Sequence, residues 1–261
     1  MNAPGAALRA VPAPAVFPML DAASRAAALS RIYAGLDGAD MVREALLGPM
    51  RGRIALVSSF GAESVALLHL VAEADLGAPV IFLDTEMLFP ETLTYQAELA
   101  AALGLRDIRI VKPVRANVDA EDPKGDLWRR APDACCALRK TAPLAAALEG
   151  FDGWITGRKR YQGGDRAALA KFETDDAGRL KLNPLANWGP AAVRDYIHRH
   201  DLPPHPLVAH GYPSIGCAPC TSAVAPGEDP RAGRWRGRAK TECGIHFVNG
   251  AVVRREADRG G

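Results

Sequence analysis

The chain has 261 residues, of which 48% are hydrophobic and 24% are charged, with a formal net charge of +2. A net charge this small gives no indication of a nucleic-acid or membrane partner. No apolar run reaches the roughly 20 residues that a membrane span needs. Five cysteines are too few and too unevenly spaced for a secreted disulfide framework. Since no signal peptide is recognisable either, we expect a reduced, cytoplasmic protein that binds neither nucleic acid nor membrane.

The predicted elements begin after an Ala/Pro-rich arm at residues 1–20, whose composition is typical of disorder. Helical composition follows over residues 21–50, with a break near Gly38. Apolar runs of strand length then alternate with helical segments, and the helix over 90–103 ends at Gly104. Strands are predicted at residues 53–60, 79–85, 107–113 and 152–158. This alternation predicts an α/β fold with a mostly parallel sheet and helices on both faces.

The pattern changes after about Gly163. A hairpin is predicted with its turn at 176–178, and a helix over 189–203 is stopped by Pro203. The last part of the chain is rich in Pro, Gly and Arg and has weak periodicity. We therefore divide the chain into three parts. They are an N-terminal arm with helices (1–50), an α/β domain (51–206) and a C-terminal segment (207–261).

Two polar loops follow predicted strands. The stretch SSFGAES puts Ser58, Ser59 and Gly61 on a strand-to-helix turn, where small residues let backbone N–H groups approach an anion. It has neither the Walker pattern nor G-x-G-x-x-G, so it also fits a plain connection. In the second loop, Asp84 and Thr85 are expected to be exposed, with a helix cap as the alternative role for Asp84. Two such loops at one edge of a parallel sheet favour a nucleotide crevice.

Four of the five cysteines form two pairs. Cys217 and Cys220 have the spacing of a redox dithiol, half a zinc site or part of an iron–sulfur site. Cys135 and Cys136 are adjacent, which is awkward for zinc and strained for a disulfide but suits neighbouring irons of one cluster. Asp133 is predicted to cap the helix that carries them. The two pairs therefore favour a [4Fe–4S] cluster, with four buried, inert cysteines or a zinc site as alternatives.

Seven segments of the chain occur in the order found in one enzyme family. They are SSFGAES, LDTEMLFPET, CCALRK, TGRKR, NPL, GYPSIGCAPCT and GRWRGRAKTECGIH. Between about residue 53 and residue 246 the sequence resembles the phosphoadenylyl-sulfate/adenylyl-sulfate reductases of sulfate assimilation. It looks like their iron–sulfur type, the adenylyl-sulfate reductases. The resemblance implies an adenine nucleotide α-hydrolase-like fold, with residues 51–206 as the nucleotide-binding domain.

The resemblance also implies an activity, the reduction of adenylyl sulfate to sulfite and AMP through a Cys-S-sulfonate, with a thioredoxin or glutaredoxin-like donor. It makes Cys243 the nucleophile. The [4Fe–4S] cluster would be held by Cys135, Cys136, Cys217 and Cys220. The phosphosulfate would be bound by Lys140, Arg160, Arg231, Arg234 and His246. The nucleotide would be bound by Ser58, Ser59, Phe60, Gly61, Leu83 and Thr85.

Other functions stay open at this point. The chain could use phosphoadenylyl sulfate instead, or be an ATP-dependent adenylylating enzyme of the same fold, although the Gly-Gly-x-Asp-Ser form expected of such enzymes is missing from its loop. A different class is a non-catalytic binding module stabilised by zinc.

Arg139 and Lys140 follow Cys136 by about one α-helical turn, which predicts substrate cations beside the cluster. The sequence leaves the formation of a homo-oligomer open.

Overall fold

The computed structural model describes residues 21–36, 38–48, 50–238, 240 and 242. Its α-helices are α1 (Ala22–Ile32), α2 (Ala39–Leu47), α3 (Ser64–Ala74), α4 (Pro90–Ala102), α5 (Arg115–Glu121), α6 (Leu127–Arg130), α7 (Pro132–Cys136), α8 (Ala142–Ala147) and α9 (Pro190–Arg199). Its strands are β1 (Ile54–Ser58), β2 (Pro79–Leu83), β3 (Asp107–Val111), β4 (Gly153–Ile155), β5 (Phe172–Thr174) and β6 (Leu180–Leu182). Each helix and strand that the sequence predicts within this part of the chain is confirmed, with shifts of a few residues at the ends.

The six strands form one sheet in the order β3-β2-β1-β4-β6-β5. All neighbouring strands are parallel except β5 and β6, which form the predicted antiparallel hairpin. From β1 the chain first builds outward through β2 and β3 and then returns to place β4 on the other side of β1. The carboxyl ends of β1 and β4 therefore flank the point where the strand order reverses, which is where parallel sheets bind ligands.

Side chains that alternate along β1 and β2 divide the core between the two faces of the sheet. Leu56 and Val80 point into the larger cluster, which helices α1, α2, α3, α4 and α9 complete. Ala55 and Ile81 point into a smaller cluster with Trp154 and residues of α8. Both faces are covered, so the predicted arrangement of helices on both sides of the sheet is confirmed.

The ends of several helices follow simple local chemistry. The Asp21 carboxylate caps α1 by accepting a hydrogen bond from the backbone N–H of Ser24 at 2.8 Å. Helix α4 ends as predicted at Gly104, whose φ of 68° allows the chain to reverse. No helix among the described residues combines the length and the apolar composition that a bilayer crossing requires.

A buried histidine connects α4 to the chain after α9. The Nδ1 atom of His205 accepts a hydrogen bond from the N–H of Leu207 at 3.2 Å, and its Nε2 lies 3.1 Å from the Thr92 hydroxyl. Both ring nitrogens are thus satisfied when the ring is neutral. Burial lowers the pKa of His205 to about 4.

Candidate active site

The first loop leaves β1 at Ser58 and enters α3 at Ser64. The Ser58 hydroxyl accepts a hydrogen bond from the backbone N–H of Phe60 at 3.2 Å, and Phe60 has a φ of 48°, which is strained for an aromatic residue. Its ring is fully buried, edge-on to Phe82, which holds the backbone in this conformation. Ser59 is exposed at the mouth of the loop. A Cβ placed on Gly61 would lie 3.4 Å from the carbonyl oxygen of Ile215, so the C-terminal segment contacts this loop directly.

An ion pair between a buried lysine and a half-buried glutamate joins the first loop to the segment after β4. Glu63 accepts a hydrogen bond from the Lys159 ammonium at 3.0 Å and others from Tyr161 and Gln162. Burial alone would raise the pKa of the Glu63 carboxyl, but Lys159 and these hydrogen bonds hold it below its usual value. Burial lowers the pKa of Lys159, although Glu63 opposes that effect. This ion pair could not be predicted from local sequence patterns, because 96 residues separate Glu63 from Lys159.

Arg160, the substrate-binding residue predicted from TGRKR, is exposed, whereas the two residues before it are buried. Arg160 is exposed, and its Nε donates a hydrogen bond to the carbonyl of Leu169 at 2.8 Å. Arg158 is buried and paired with Glu173. Among the described residues of the TGRKR segment, Arg158 and Lys159 therefore lie in the interior of the protein, and Arg160 lies at its surface.

The second loop is buried, which contradicts the expected exposure of Asp84 and Thr85. Only 1% of the surface of Thr85 is accessible, because the segment carrying Cys217 covers it. The Thr85 hydroxyl lies 3.3 Å from the Cys217 sulfur, and Leu88 forms an antiparallel bridge with Cys217. The Asp84 carboxylate accepts a hydrogen bond from the N–H of Glu86 and pairs with Lys112 at 3.3 Å. Asp84 therefore organises this turn and does not cap α4.

The four paired cysteines converge. Within the described residues they line one enclosed space, together with Met87, Trp128, Pro132, Arg139, Lys140, Pro219 and Trp235. All four are free thiols. Burial raises the pKa of Cys135 to about 12, and the three neighbouring sulfurs add to the effect while Arg139 opposes it. Among the described residues, no three His, Cys, Asp or Glu side chains are set around a single ion.

The helix that carries Cys135 and Cys136 differs from the prediction in two ways. Asp133 does not cap it, because Pro132 already stands in its first turn and the Asp133 carboxylate pairs with Lys240. After Cys136 the chain forms a π-helical turn, Ala137–Thr141, instead of continuing as α-helix. The wider turn changes the direction of the side chains that follow.

The two cations on this π-helical turn have different surroundings. Arg139 is buried and donates to the Asp122 carboxylate at 3.0 Å and to the Thr85 carbonyl at 3.1 Å. It therefore supports the second loop from inside, and the expectation that it faces substrate is wrong. Lys140 is half-buried and lines the space between the cysteines. It lies close enough to Cys220 to oppose the rise in that thiol's pKa that burial causes.

Arg234 lies beside the first loop, and Arg231 lies beside Glu242. Arg234 donates to the carbonyl of Ile215 at 3.2 Å, the same carbonyl that faces Gly61, and its guanidinium stacks 4.5 Å from the centre of the Trp235 ring. A Cβ on Gly216 would overlap this guanidinium, so the glycine leaves the space that Arg234 occupies. Arg231 lies 3.6 Å from the Glu242 carboxylate.

Cys243 and His246 lie outside the described residues, so their predicted roles stay predictions. Glu242, the residue before Cys243, is described and lies against Arg166 and Arg231. Most of the remaining predicted residues fall into two groups around the edge of the sheet. Ser58 to Gly61 and Arg234 lie at the first loop, whereas Leu83, Thr85 and Lys140 lie at the second loop and the cysteines. Arg231 lies beside Glu242, and Arg160 belongs to neither group because it lies at the surface after β4.

Comparison with known proteins identifies the family of this chain. Residues 53–223 match the model of the phosphoadenosine phosphosulfate reductase domain. The chain belongs to this family. It is 49% identical over 225 residues to the Mesorhizobium japonicum protein named adenosine 5'-phosphosulfate reductase, with 86% of this chain and 88% of that protein covered.

Other members of the phosphoadenosine phosphosulfate reductase domain family are also similar. A Gloeobacter violaceus protein named phosphoadenosine 5'-phosphosulfate reductase is 40% identical over 215 residues, with 79% of this chain and 89% of that protein covered. The crystal structure of phosphoadenylyl-sulfate reductase from Candida auris, a phosphate complex, superposes with a TM-score of 0.64. It has 28% sequence identity, covering 77% of this chain and 97% of that chain. The fold class expected from the resemblance is therefore confirmed.

Proposed function

We propose that the protein reduces adenylyl sulfate to sulfite and AMP in assimilatory sulfate reduction. The observation that carries the proposal has two parts. Arg234 meets the first loop at the carboxyl end of β1, where the strand order reverses, and Arg231 lies beside Glu242, the residue before Cys243 in the sequence. Fixed guanidinium groups there suit a phosphosulfate, which carries about two negative charges. Relatives at 49% and 48% identity are named adenosine 5'-phosphosulfate reductase.

The nucleophile of this reaction is the Cys243 thiolate. It attacks the sulfur of adenylyl sulfate, the bond between that sulfur and the phosphate oxygen breaks, and AMP leaves with the bonding electron pair. The protein keeps a Cys-S-sulfonate. Arg231, Arg234, Lys140, Arg160 and His246 are proposed to bind the phosphosulfate, and fixed cations offset the repulsion between thiolate and substrate.

A dithiol completes the reaction. One thiolate of a thioredoxin or glutaredoxin-like donor attacks the Cys243 sulfur, and sulfite leaves. The second donor thiol then resolves the mixed disulfide, which returns Cys243 as a thiol and leaves the donor oxidised. The sulfur of the substrate is reduced by two electrons and the donor dithiol loses two. Because such donors are kept reduced in the cytoplasm, we assign the reaction to that compartment.

The nucleotide is proposed to bind against the two loops. Ser58, Ser59, Phe60 and Gly61 form a turn of small and apolar residues that is strained at Phe60, and their backbone N–H groups are proposed to bind the nucleotide. Leu83 and Thr85 end the neighbouring strand β2 and are proposed to lie near the adenosine.

The four converging cysteines are proposed to hold a [4Fe–4S] cluster. Their chemistry fits, since four free thiols line one space and the Thr85 hydroxyl and the cations of the π-helical turn lie beside them. When bound, the cluster would supply positive charge that keeps Cys135, Cys136, Cys217 and Cys220 as thiolates. Arg139 orients the helix that carries the first two by binding Asp122 and the second loop.

The alternatives make different predictions in one assay. Anaerobically purified protein should release sulfite and AMP from adenylyl sulfate with reduced thioredoxin, and Cys243→Ser should abolish this while keeping about four irons per chain. A higher kcat/KM with phosphoadenylyl sulfate would favour the activity named for the Gloeobacter relative. Pyrophosphate release from ATP would indicate an adenylylating enzyme. Colourless protein with one zinc and no sulfite would indicate a binding module.

A further inference from the structure

Glu242 forms a forked ion pair with Arg166. Both side chains are 11% exposed. The Arg166 Nη2 donates to one carboxylate oxygen at 2.8 Å, and its Nε donates to the other. Bidentate guanidinium–carboxylate pairs fix both distance and angle, and at this burial the pair is little screened by solvent.

Arg166 is itself attached to the first loop. It ends the short 3-10 helix Gly164–Arg166, and its Nη1 donates to the side-chain oxygen of Gln162. The amide nitrogen of Gln162 donates in turn to Glu63 at 3.2 Å. Side-chain hydrogen bonds therefore run without a break from the loop SSFGAES to Glu242.

Arg231 is the second cation near this carboxylate, at 3.6 Å. The fork occupies both oxygens of Glu242, so Arg231 makes a longer, purely electrostatic contact with it. A carboxylate held in this way neutralises Arg166 and lies beside Arg231, one of the residues proposed to bind the phosphosulfate. The next residue in the sequence is Cys243.

We propose that Glu242 and Arg166 are positioning residues for the first half-reaction. Their ion pair fixes the chain immediately before Cys243 against the first loop and beside Arg231. The inference rests on the proposed function for the role of Cys243. It assigns neither residue to substrate binding, so losing the pair slows the attack by sulfur and leaves nucleotide affinity unchanged.

The chain offers a matched control in the same C-terminal segment. Glu228 forms an equally forked pair with Arg236, with both contacts at 3.0 Å, but the two side chains are 35% and 46% exposed. The chemistry of the two pairs is alike. They differ in burial and in distance from Cys243, so Glu228→Gln controls for the loss of a forked carboxylate as such.

The first test is a single turnover with adenylyl sulfate and no thiol donor, followed by mass measurement of sulfonated protein. Glu242→Gln and Arg166→Gln should each lower the rate constant at saturating nucleotide at least tenfold, while the Kd for AMP stays within twofold. The double variant should be no more than twofold slower than the slower single variant, because both changes break one interaction. Glu228→Gln should stay within twofold of wild type.

Four results would overturn the proposal. They are single variants within twofold of wild type, a weakened Kd for AMP that accounts for the loss, losses that multiply in the double variant, or an equal loss in Glu228→Gln. Circular dichroism checks the fold of each variant. Should Arg166→Gln fail to fold, Arg166→Lys keeps the charge without the fork and should still lose at least threefold.

A second test does not depend on the reaction. A glutamate-specific protease binds the glutamate side chain in its own pocket before it cuts, and in this protein the Glu242 side chain is bound by Arg166. The wild-type chain should therefore be cut after Glu228 well before it is cut after Glu242. Arg166→Gln, or Arg166→Lys in its place, should accelerate cutting after Glu242 at least fivefold relative to Glu228. No acceleration would refute the docking of Glu242. Acceleration without any sulfonation of wild-type Cys243 would leave the ion pair standing and refute the proposed function instead.

Discussion

Replacing Asp122 tests how the helix of paired cysteines is held. The Asp122 side chain is fully buried, and one of its oxygens accepts from Arg139 at 3.0 Å while the other accepts from the backbone N–H of Leu127 at 2.9 Å. Asp122→Ala removes both acceptors. Arg139, which is 6% exposed, then keeps its charge without its nearest carboxylate.

The cost follows from this burial. Breaking a buried ion pair by removing one member costs about 3–5 kcal/mol when the other charge is left uncompensated. The Glu86 carboxylate, 3.9 Å from Arg139 and 31% exposed, still compensates part of that charge, so the lower end of the range, about 3 kcal/mol, applies here. The N–H of Leu127 loses its acceptor as well, which adds about 1 kcal/mol. The expected fall in the free energy of unfolding is therefore about 4 kcal/mol, a large share of the roughly 5–15 kcal/mol that a domain has.

Urea unfolding followed by tryptophan fluorescence measures this change. Asp122→Leu with Arg139→Met should recover at least half of the loss, since it removes the uncompensated charge along with its partner. Asp40→Ala is the control, because its pair with Arg43 is exposed and contributes at most about 1 kcal/mol. A loss below 1 kcal/mol in Asp122→Ala, or no recovery in the double variant, would refute the reasoning.

Three further predictions concern single residues. The pKa of His205 is about 4 in the native protein and near 6.5 in the unfolded chain. Between these pH values only the unfolded chain takes up a proton at this histidine. The free energy of unfolding should therefore fall by about 2–3 kcal/mol from pH 7 to pH 4.5. Urea titrations at both pH values check this, and a His205→Gln variant that keeps the full pH dependence would contradict it. Gly216→Ala should displace Arg234 and raise the Kd for adenylyl sulfate at least fivefold with little change in stability, whereas Gly189→Ala, which meets open space, should do neither. Cys217→Ser should lose most of the iron bound by wild type in a colorimetric iron assay, and a variant that keeps all of it would argue against the cluster.

Local patterns were enough to predict the sheet and its helices. The apolar runs at β1 to β4 and the intervening helical periodicity fix the element types, and Gly178 marks the hairpin turn between β5 and β6. The motifs also predicted correctly that the two cysteine pairs meet at one site. Periodicity does not encode the strand order, which depends on how the crossovers pack.

The parts that the sequence did not predict are contacts between distant residues. Glu63 and Lys159 are 96 residues apart, and Arg166 and Glu242 are 76 apart. In the sequence, all four residues look like ordinary surface charges, and only the fold brings the members of each pair into contact. The π-helical turn after Cys136 was missed for a related reason, because its side chains satisfy tertiary contacts such as that of Arg139 with Asp122.

The most direct test of the proposed function is the mass of one peptide. Reduced wild-type protein should be incubated with adenylyl sulfate, without thiol donor, and digested with trypsin. The account predicts that the peptide of residues 241–254, which contains Cys243, gains the mass of one SO3 and loses it when thioredoxin is added. An unmodified peptide under conditions in which AMP is released would contradict it.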